Sequence, residues 1–254
     1  MLAARGLAIG YDRRTVARGI DVSVGAGEVL CLLGPNGSGK TTLFKTLLGL
    51  LPALAGAVTL DGQSLHGFTR RELARRIAYV PQAQIMEFAY TVLDLVLMGR
   101  TAHLGPFAAP GVRDHERAMA ALADLGIADL AHADANRISG GQRQLCLIAR
   151  AIAQDAALLV MDEPTASLDL GNRLLVLERV RTLSARGLGI VFSTHDPDQA
   201  RELATKVAVI AEGRLAAQGT PQDTLTGPIL SSIYGVPVMV ERTESGRYVV
   251  ASRY

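Results

Sequence analysis

Tryptophan is absent from this 254-residue chain, and aromatic residues make up only 4% of it. The two cysteines, Cys31 and Cys146, fall in apolar patterns, which excludes a disulfide framework and suggests small buried side chains in a reducing compartment. Lysine occurs only at Lys40, Lys45 and Lys206, and a net charge of +2 gives no reason to expect a nucleic-acid partner. No apolar run approaches the roughly 20 residues that span a bilayer, and the N-terminus lacks a signal-peptide pattern. The expectation is a protein on the cytoplasmic side, free or held at the membrane by a partner. Internal repeats, low-complexity tracts and long linkers are also missing. What is present, 49% hydrophobic and 20% charged residues, suits a globular chain with a substantial core.

The most informative stretch is Gly34-Pro35-Asn36-Gly37-Ser38-Gly39-Lys40-Thr41-Thr42, a G-x-x-x-x-G-K-[ST] pattern. A short apolar run, Glu28 to Leu33, precedes it, and Thr42 to Gly49 carries apolar residues at helical spacing. Strand, glycine-rich turn and helix form the context in which this pattern is a phosphate site. The glycines let successive N–H groups and the helix N-terminus face an anion. Lys40 can reach the terminal phosphates, and the Thr41 hydroxyl can ligate Mg²⁺. A nucleoside triphosphate is the implied ligand.

Around this loop, residues 1–33 read as short strands. Tyr11, at a strand end, is the only aromatic residue before Phe44. It is either a stacking surface for a nucleotide base or a core or edge tyrosine. Arg70, Arg71, Arg75 and Arg76 sit at helical spacings and read as a solvated face. Ile77 to Val80 is a strand ending at Pro81-Gln82, where Gln82 is a candidate contact to a metal or water. Residues 83–137 show helix patterns and no strand, as expected of an all-helical insertion in an α/β chain. His103, His115 and His132 lie there without ligand-like spacing and read as surface or packing histidines.

Ser139-Gly140-Gly141-Gln142 then opens a helix, with Ser139 as N-cap and two glycines leaving N–H groups accessible, a second anion site. Ala157 to Met161 reads as a buried parallel strand ending in Asp162-Glu163. Adjacent carboxylates at such a strand end are costly unless a cation or substrate needs them. Asp162 can hold Mg²⁺ through water, and Glu163 can polarise an attacking water. Ser167-Leu168-Asp169 precedes a long helix pattern, and the strand Gly189 to Thr194 ends at His195, on the ligand edge of such a sheet. Residues 220–254 read as short helices followed by a hairpin of Val236 to Glu241 with Arg247 to Ala251.

Together these residues resemble the ATP-binding subunit of ABC transporters, nearly end to end. Gly34 to Thr42 is similar to the Walker A motif, Ala157 to Glu163 to Walker B with its following glutamate, and Ser139 to Gln142 to the signature motif, with Ile138 where leucine is usual. Gln82 falls at the Q-loop, Ser167-Leu168-Asp169 at the D-loop, His195 at the switch histidine and Tyr11 at the adenine-stacking aromatic. The resemblance implies an α/β fold, a P-loop NTPase ABC nucleotide-binding domain with an antiparallel β subdomain and an all-helical insertion, in one domain over residues 1–254. It implies ATP and Mg²⁺, with Glu163 as general base, Lys40 and His195 at the γ-phosphate, and Thr41, Asp162 and Gln82 around the metal. Two copies would pair head to tail, Ser139, Gly140, Gly141 and Gln142 of one completing the site on the other. The helical insertion would receive a membrane permease dimer, served indirectly by an extracytoplasmic binding protein, at the cytoplasmic face of the inner membrane.

Tyr90 to Gly105, particularly Val96-Leu97-Met98-Gly99-Arg100, resembles importers of iron(III)-siderophore, haem, cobalamin or molybdate-type substrates. The competing reading is a soluble ABC ATPase of the iron–sulfur cluster assembly type. A regulator that binds ATP without turnover is opposed by the intact Asp162-Glu163 pair and His195.

Overall fold

The structure, a computed structural model, describes residues 1–12, 14–82, 90–105, 107–166, 168–244 and 248–252. Two compact units divide the chain, residues 1–67 with 189–254, and residues 68–188. The first opens with β1 (Leu2–Tyr11), β2 (Arg14–Val24), β3 (Val29–Leu33), α1 (Lys40–Leu47), β4 (Ala55–Leu60) and β5 (Gln63–Ser64). The second holds α2 (Arg70–Arg76), β6 (Ile77–Val80), α3 (Val92–Leu97), α4 (Val112–Asp124), α5 (Gly140–Ala153), β7 (Leu158–Met161) and α6 (Leu170–Ala185). The first resumes with β8 (Gly189–Thr194), α7 (Pro197–Leu203), β9 (Lys206–Ala211), β10 (Arg214–Gly219), α8 (Pro221–Thr224) and α9 (Gly227–Tyr234). A hairpin of β11 (Val238–Arg242) and β12 (Tyr248–Ser252) follows.

In the first unit the strands run β5-β4-β1-β2-β10-β9-β3-β8. The β1, β2, β4 and β5 group is antiparallel, whereas β3 lies parallel to both β8 and β9. All residues of β3 and β8 are buried, as strands covered on both faces must be. β2 instead has exposed and buried positions interspersed, the pattern of a half-buried strand. In the second unit β6 and β7 pair in parallel.

Between residues 90 and 137 the described residues form helices and connecting loops, with no named strand. A 3₁₀ turn at Met98–Ala102 lies between α3 and α4 and another at Ala128–Leu130 follows α4, and the expected stretch 83–89 lies outside the described residues. Thr91 caps α3 reciprocally with Asp94, and Thr69 caps α2 with Glu72. Among the described residues no helix is long and apolar enough to cross a membrane.

Local contacts refine these expectations. Arg71 and Arg75 are not merely a solvated face, because their Nε groups donate to the Ala102 carbonyl at 3.0 and 2.8 Å. The 3₁₀ turn leaves that carbonyl without a helical partner, and the guanidinium groups satisfy it. His103 has a specific partner, its Nε2 donating to the Gln154 carbonyl at 2.7 Å. Strand β11 begins later than its apolar pattern suggests, since Gly235 ends α9 at φ 70 and Ser231 Oγ accepts the Val238 N–H at 2.8 Å, while Arg247 of the expected second strand lies outside the described residues.

Candidate active site

In the first unit, β3 and β8 end level, with Leu33 opposite Thr194. The Gly34–Thr42 loop and His195 therefore leave the sheet at the same edge. A Cβ on Gly34 would lie 2.2 Å from the Ile210 carbonyl oxygen, so the loop starts hard against β9. Gly37 and Gly39 adopt φ of 78 and 102, values that L side chains avoid. Gly39 is also the N-cap of α1, so the free amides of the helix start belong to the loop.

Lys40 is only 5% exposed and donates from Nζ to the Gly34 carbonyl at 2.9 Å and the Pro35 carbonyl at 3.1 Å. Its ammonium is thus held at the loop's own mouth. Ser38 Oγ is buried without a hydrogen-bond partner among the described residues. A buried hydroxyl of that kind is satisfied by an incoming phosphate oxygen. Glycines, a lysine and an unsatisfied hydroxyl around a helix start fit a triphosphate. Thr41 is exposed, His195 is exposed at its strand end, and Tyr11 closes β1 with its ring 44% exposed. Tyr11 is therefore not a core residue.

The second unit has the same construction. β6 and β7 end level, with Val80 opposite Met161, and the Asp162 N–H donates to the Val80 carbonyl at 2.9 Å. Gln82 and Glu163 leave at that edge and meet, Gln82 Nε2 donating to Glu163 Oε2 at 3.2 Å. Glu163 sits at φ 45, a strained conformation for a side-chain-bearing residue and one that functional sites tolerate. Asp162 is 2% exposed, and burial of the Tyr79 phenol, helped by the nearby Asp162, pushes it up to about 12. The buried Asp162 carboxylate and the Gln82 amide oxygen are hard oxygen donors, of the kind Mg²⁺ takes.

Ser139 caps α5 in a reciprocal box: its Oγ accepts the Gln142 N–H at 3.1 Å, and Gln142 Oε1 accepts the Ser139 N–H at 3.0 Å. The helix begins at Gly140, so both glycines lie in its first turn. A Cβ on Gly141 would lie 2.7 Å from Asn172 Nδ2. Asn172 Nδ2 also donates to Asp169 Oδ2 at 2.9 Å, and Asp169 Oδ1 accepts the Asn172 N–H, capping α6. Sequence reading missed this link from Gly141 to Asp169. Leu168 N–H bonds the Thr165 carbonyl, while Ser167 lies outside the described residues.

Residues 17–166 match the family model of the ABC transporter. The chain belongs to the ABC transporter family. An ABC transporter ATP-binding protein of Haemophilus influenzae, itself uncharacterised, is 44% identical over 92% of this chain and 89% of its own. The hemin import ATP-binding protein of Streptomyces coelicolor is 39% identical over 94% of this chain and 85% of its own. Among solved structures, a chain of a transporter described as of the metal-chelate ABC type, in an inward-facing conformation, is 32% identical. It superposes with a TM-score of 0.88 over 100% of this chain and 97% of that one.

As an ABC ATP-binding subunit, the chain has the ABC ATPase fold, binds nucleotide and hydrolyses ATP for transport. The family's cassettes work as dimers with membrane permease partners.

Proposed function

We propose that this subunit energises an importer of metal chelates, of the iron(III)-siderophore, haem, cobalamin or molybdate type. The observation that carries the reading is the likeness, over the whole chain, to the metal-chelate type transporter. The hemin import relative supports it independently.

Each half of the site has its own task in hydrolysis. The amides of Gly34 to Thr42 and the Lys40 ammonium take the phosphate oxygens, and Tyr11 stacks on the base. Thr41, Gln82 and Asp162 would hold Mg²⁺, whose charge would offset that of the phosphates. Glu163 accepts a proton from the attacking water, and the Gln82 amide, already bonded to Glu163 Oε2, orients that carboxylate. His195 contacts the γ-phosphate from its strand end.

Ser139, Gly140, Gly141 and Gln142 face the ATP of a second copy, whose signature helix serves this copy in return. Ser167, Leu168 and Asp169 belong to the same dimer contact. The insertion, approximately residues 83–137, receives the permease dimer at the cytoplasmic face of the inner membrane, and an extracytoplasmic binding protein selects the cargo. The whole of residues 1–254 then acts as one ABC ATPase domain, with 220–254 as its C-terminal extension.

Affinity purification of the tagged chain from detergent-solubilised membranes tests the reading. Recovery with a many-spanning permease, whose transport of a metal chelate stops without ATP, is the expected result. Repeated recovery with soluble iron–sulfur assembly factors alone would replace it with the cluster-assembly reading.

A further inference from the structure

We propose that Tyr234, at the end of α9, is a positioning residue for His195, so that the C-terminal extension sets the geometry of the switch histidine. The proposal rests on the reading of His195 as a γ-phosphate contact. Its observation is a single long-range bond: Tyr234 Oη donates to the His195 backbone carbonyl at 2.7 Å.

The surroundings make that bond consequential. On both sides of His195 the chain is locked by local hydrogen bonds. Thr194 is buried, and its Oγ1 accepts the Asp196 N–H at 3.0 Å. Asp196 in turn caps α7, its carboxylate accepting the Asp198 and Gln199 N–H groups and the Gln199 side-chain amide. The Asp196 N–H bond holds the 195–196 peptide at its nitrogen end. The Tyr234 hydroxyl pins the carbonyl of that peptide, and with it the ψ angle from which the exposed imidazole is aimed. Burial and the nearby Asp196 carboxylate push the Tyr234 phenol up to about 12, so it stays a donor throughout the neutral range.

Tyr234 is itself held. Gly235 ends α9 in the left-handed region, and Leu230, fully buried, anchors the helix. Ser231 bonds both the N–H and the carbonyl of Val238, tying α9 to β11. The hairpin then returns to α7: Tyr248 lies beneath the Arg201 guanidinium at 4.5 Å, and Arg201 also donates to the Leu225 carbonyl. The extension therefore grips the helix after His195 at two places, its start and its middle. A tyrosine that merely satisfied its own hydroxyl would need no such frame.

The test uses the full-length protein with steady-state ATP hydrolysis, thermal unfolding and the imidazole NMR signals of His195. Tyr234→Phe removes only the hydroxyl. It is expected to lower kcat about three- to tenfold, the factor of one lost hydrogen bond, with KM for ATP and the unfolding midpoint nearly unchanged and the His195 ring signals shifted. In single-turnover assays the loss should vanish on a His195→Ala background. Wild-type kcat in Tyr234→Phe alongside an inactive His195→Ala would overturn the positioning role and leave His195 standing. Wild-type turnover in His195→Ala would overturn the reading of His195, and this proposal with it. Should Tyr234→Phe fold poorly, Tyr248→Leu, which releases the hairpin from Arg201, is expected to lower kcat in the same direction; an unaltered kcat there would also sink the idea.

Discussion

Arg100 Nε donates to Asp114 Oδ1 at 2.9 Å, and the two side chains retain only 11% and 15% of their exposure. The same guanidinium donates from Nη1 to the Ala153 carbonyl at 2.8 Å, at the C-terminal end of α5, the helix that Ser139 opens. His103 takes the next carbonyl, that of Gln154. Cationic and N–H donors at a helix C-terminus satisfy its orphan carbonyls and complement its dipole. One end of α5 is thus capped by Ser139, while the other is clasped by the 3₁₀ turn that follows α3.

Replacing Arg100 by Ala leaves Asp114 without its Arg100 partner and removes the guanidinium donor from the Ala153 carbonyl. The unfolding midpoint should fall by several degrees, and Arg100→Lys should recover only part, because one ammonium cannot reproduce the two-directional fork. Differential scanning calorimetry of both variants checks this.

The same pair predicts a pH dependence. Arg100, with the Gly111 N–H, holds the Asp114 carboxyl below its ordinary value. A depressed carboxylate contributes stability that is complete above its unfolded pKa and is lost as pH falls through the folded value. The gap in midpoint between wild type and Asp114→Asn should therefore be widest near neutrality and close on acidification below the usual carboxylate range. A gap that stays constant from neutral to acidic pH would contradict the assignment.

Gly99, beside Arg100, permits the close approach. A Cβ there would lie 2.2 Å from the Arg150 carbonyl oxygen, which is backbone and cannot step aside. Gly99→Ala should cost about 1–3 kcal/mol in urea unfolding, the usual penalty of overpacking.

At the phosphate loop, Gly34→Ala would place its methyl 2.2 Å from the Ile210 carbonyl oxygen and displace the loop's first residue. Lys40→Ala removes the buried ammonium. Both variants should bind a fluorescent ATP analogue at least about tenfold more weakly, since either change removes or misplaces a charge-assisted contact.

Glu163→Gln keeps the shape of the side chain and removes its basicity. ATP binding should persist while turnover falls by about a hundredfold or more, and ATP should trap a dimer. Phosphate release and size-exclusion chromatography read the two effects. Unaltered hydrolysis, or a variant that stays monomeric at saturating ATP, would remove Glu163 from the role of base.

Much of this site is readable from residue order. The apolar runs before Gly34, Asp162 and His195 are each short, continuous and ended by polar residues, so they announce buried strands whose ends carry chemistry. Helix starts at Thr91 and Ser139 declare themselves through capping partners three residues away. These signals are local, set by steric periodicity and nearest-neighbour hydrogen bonds, and the sequence by itself determined them. Tertiary structure alone decided that Leu33 stands level with Thr194 and Val80 with Met161, because register depends on how whole strands bury their faces. It alone joined Tyr234 to His195, Arg100 to Ala153 and Asn172 to Gly141. Such contacts exist only after the chain has closed loops between residues with no periodic relation, and their partners are chosen by packing. The sequence therefore named the candidate groups for ATP, and the folded chain decided what holds them still.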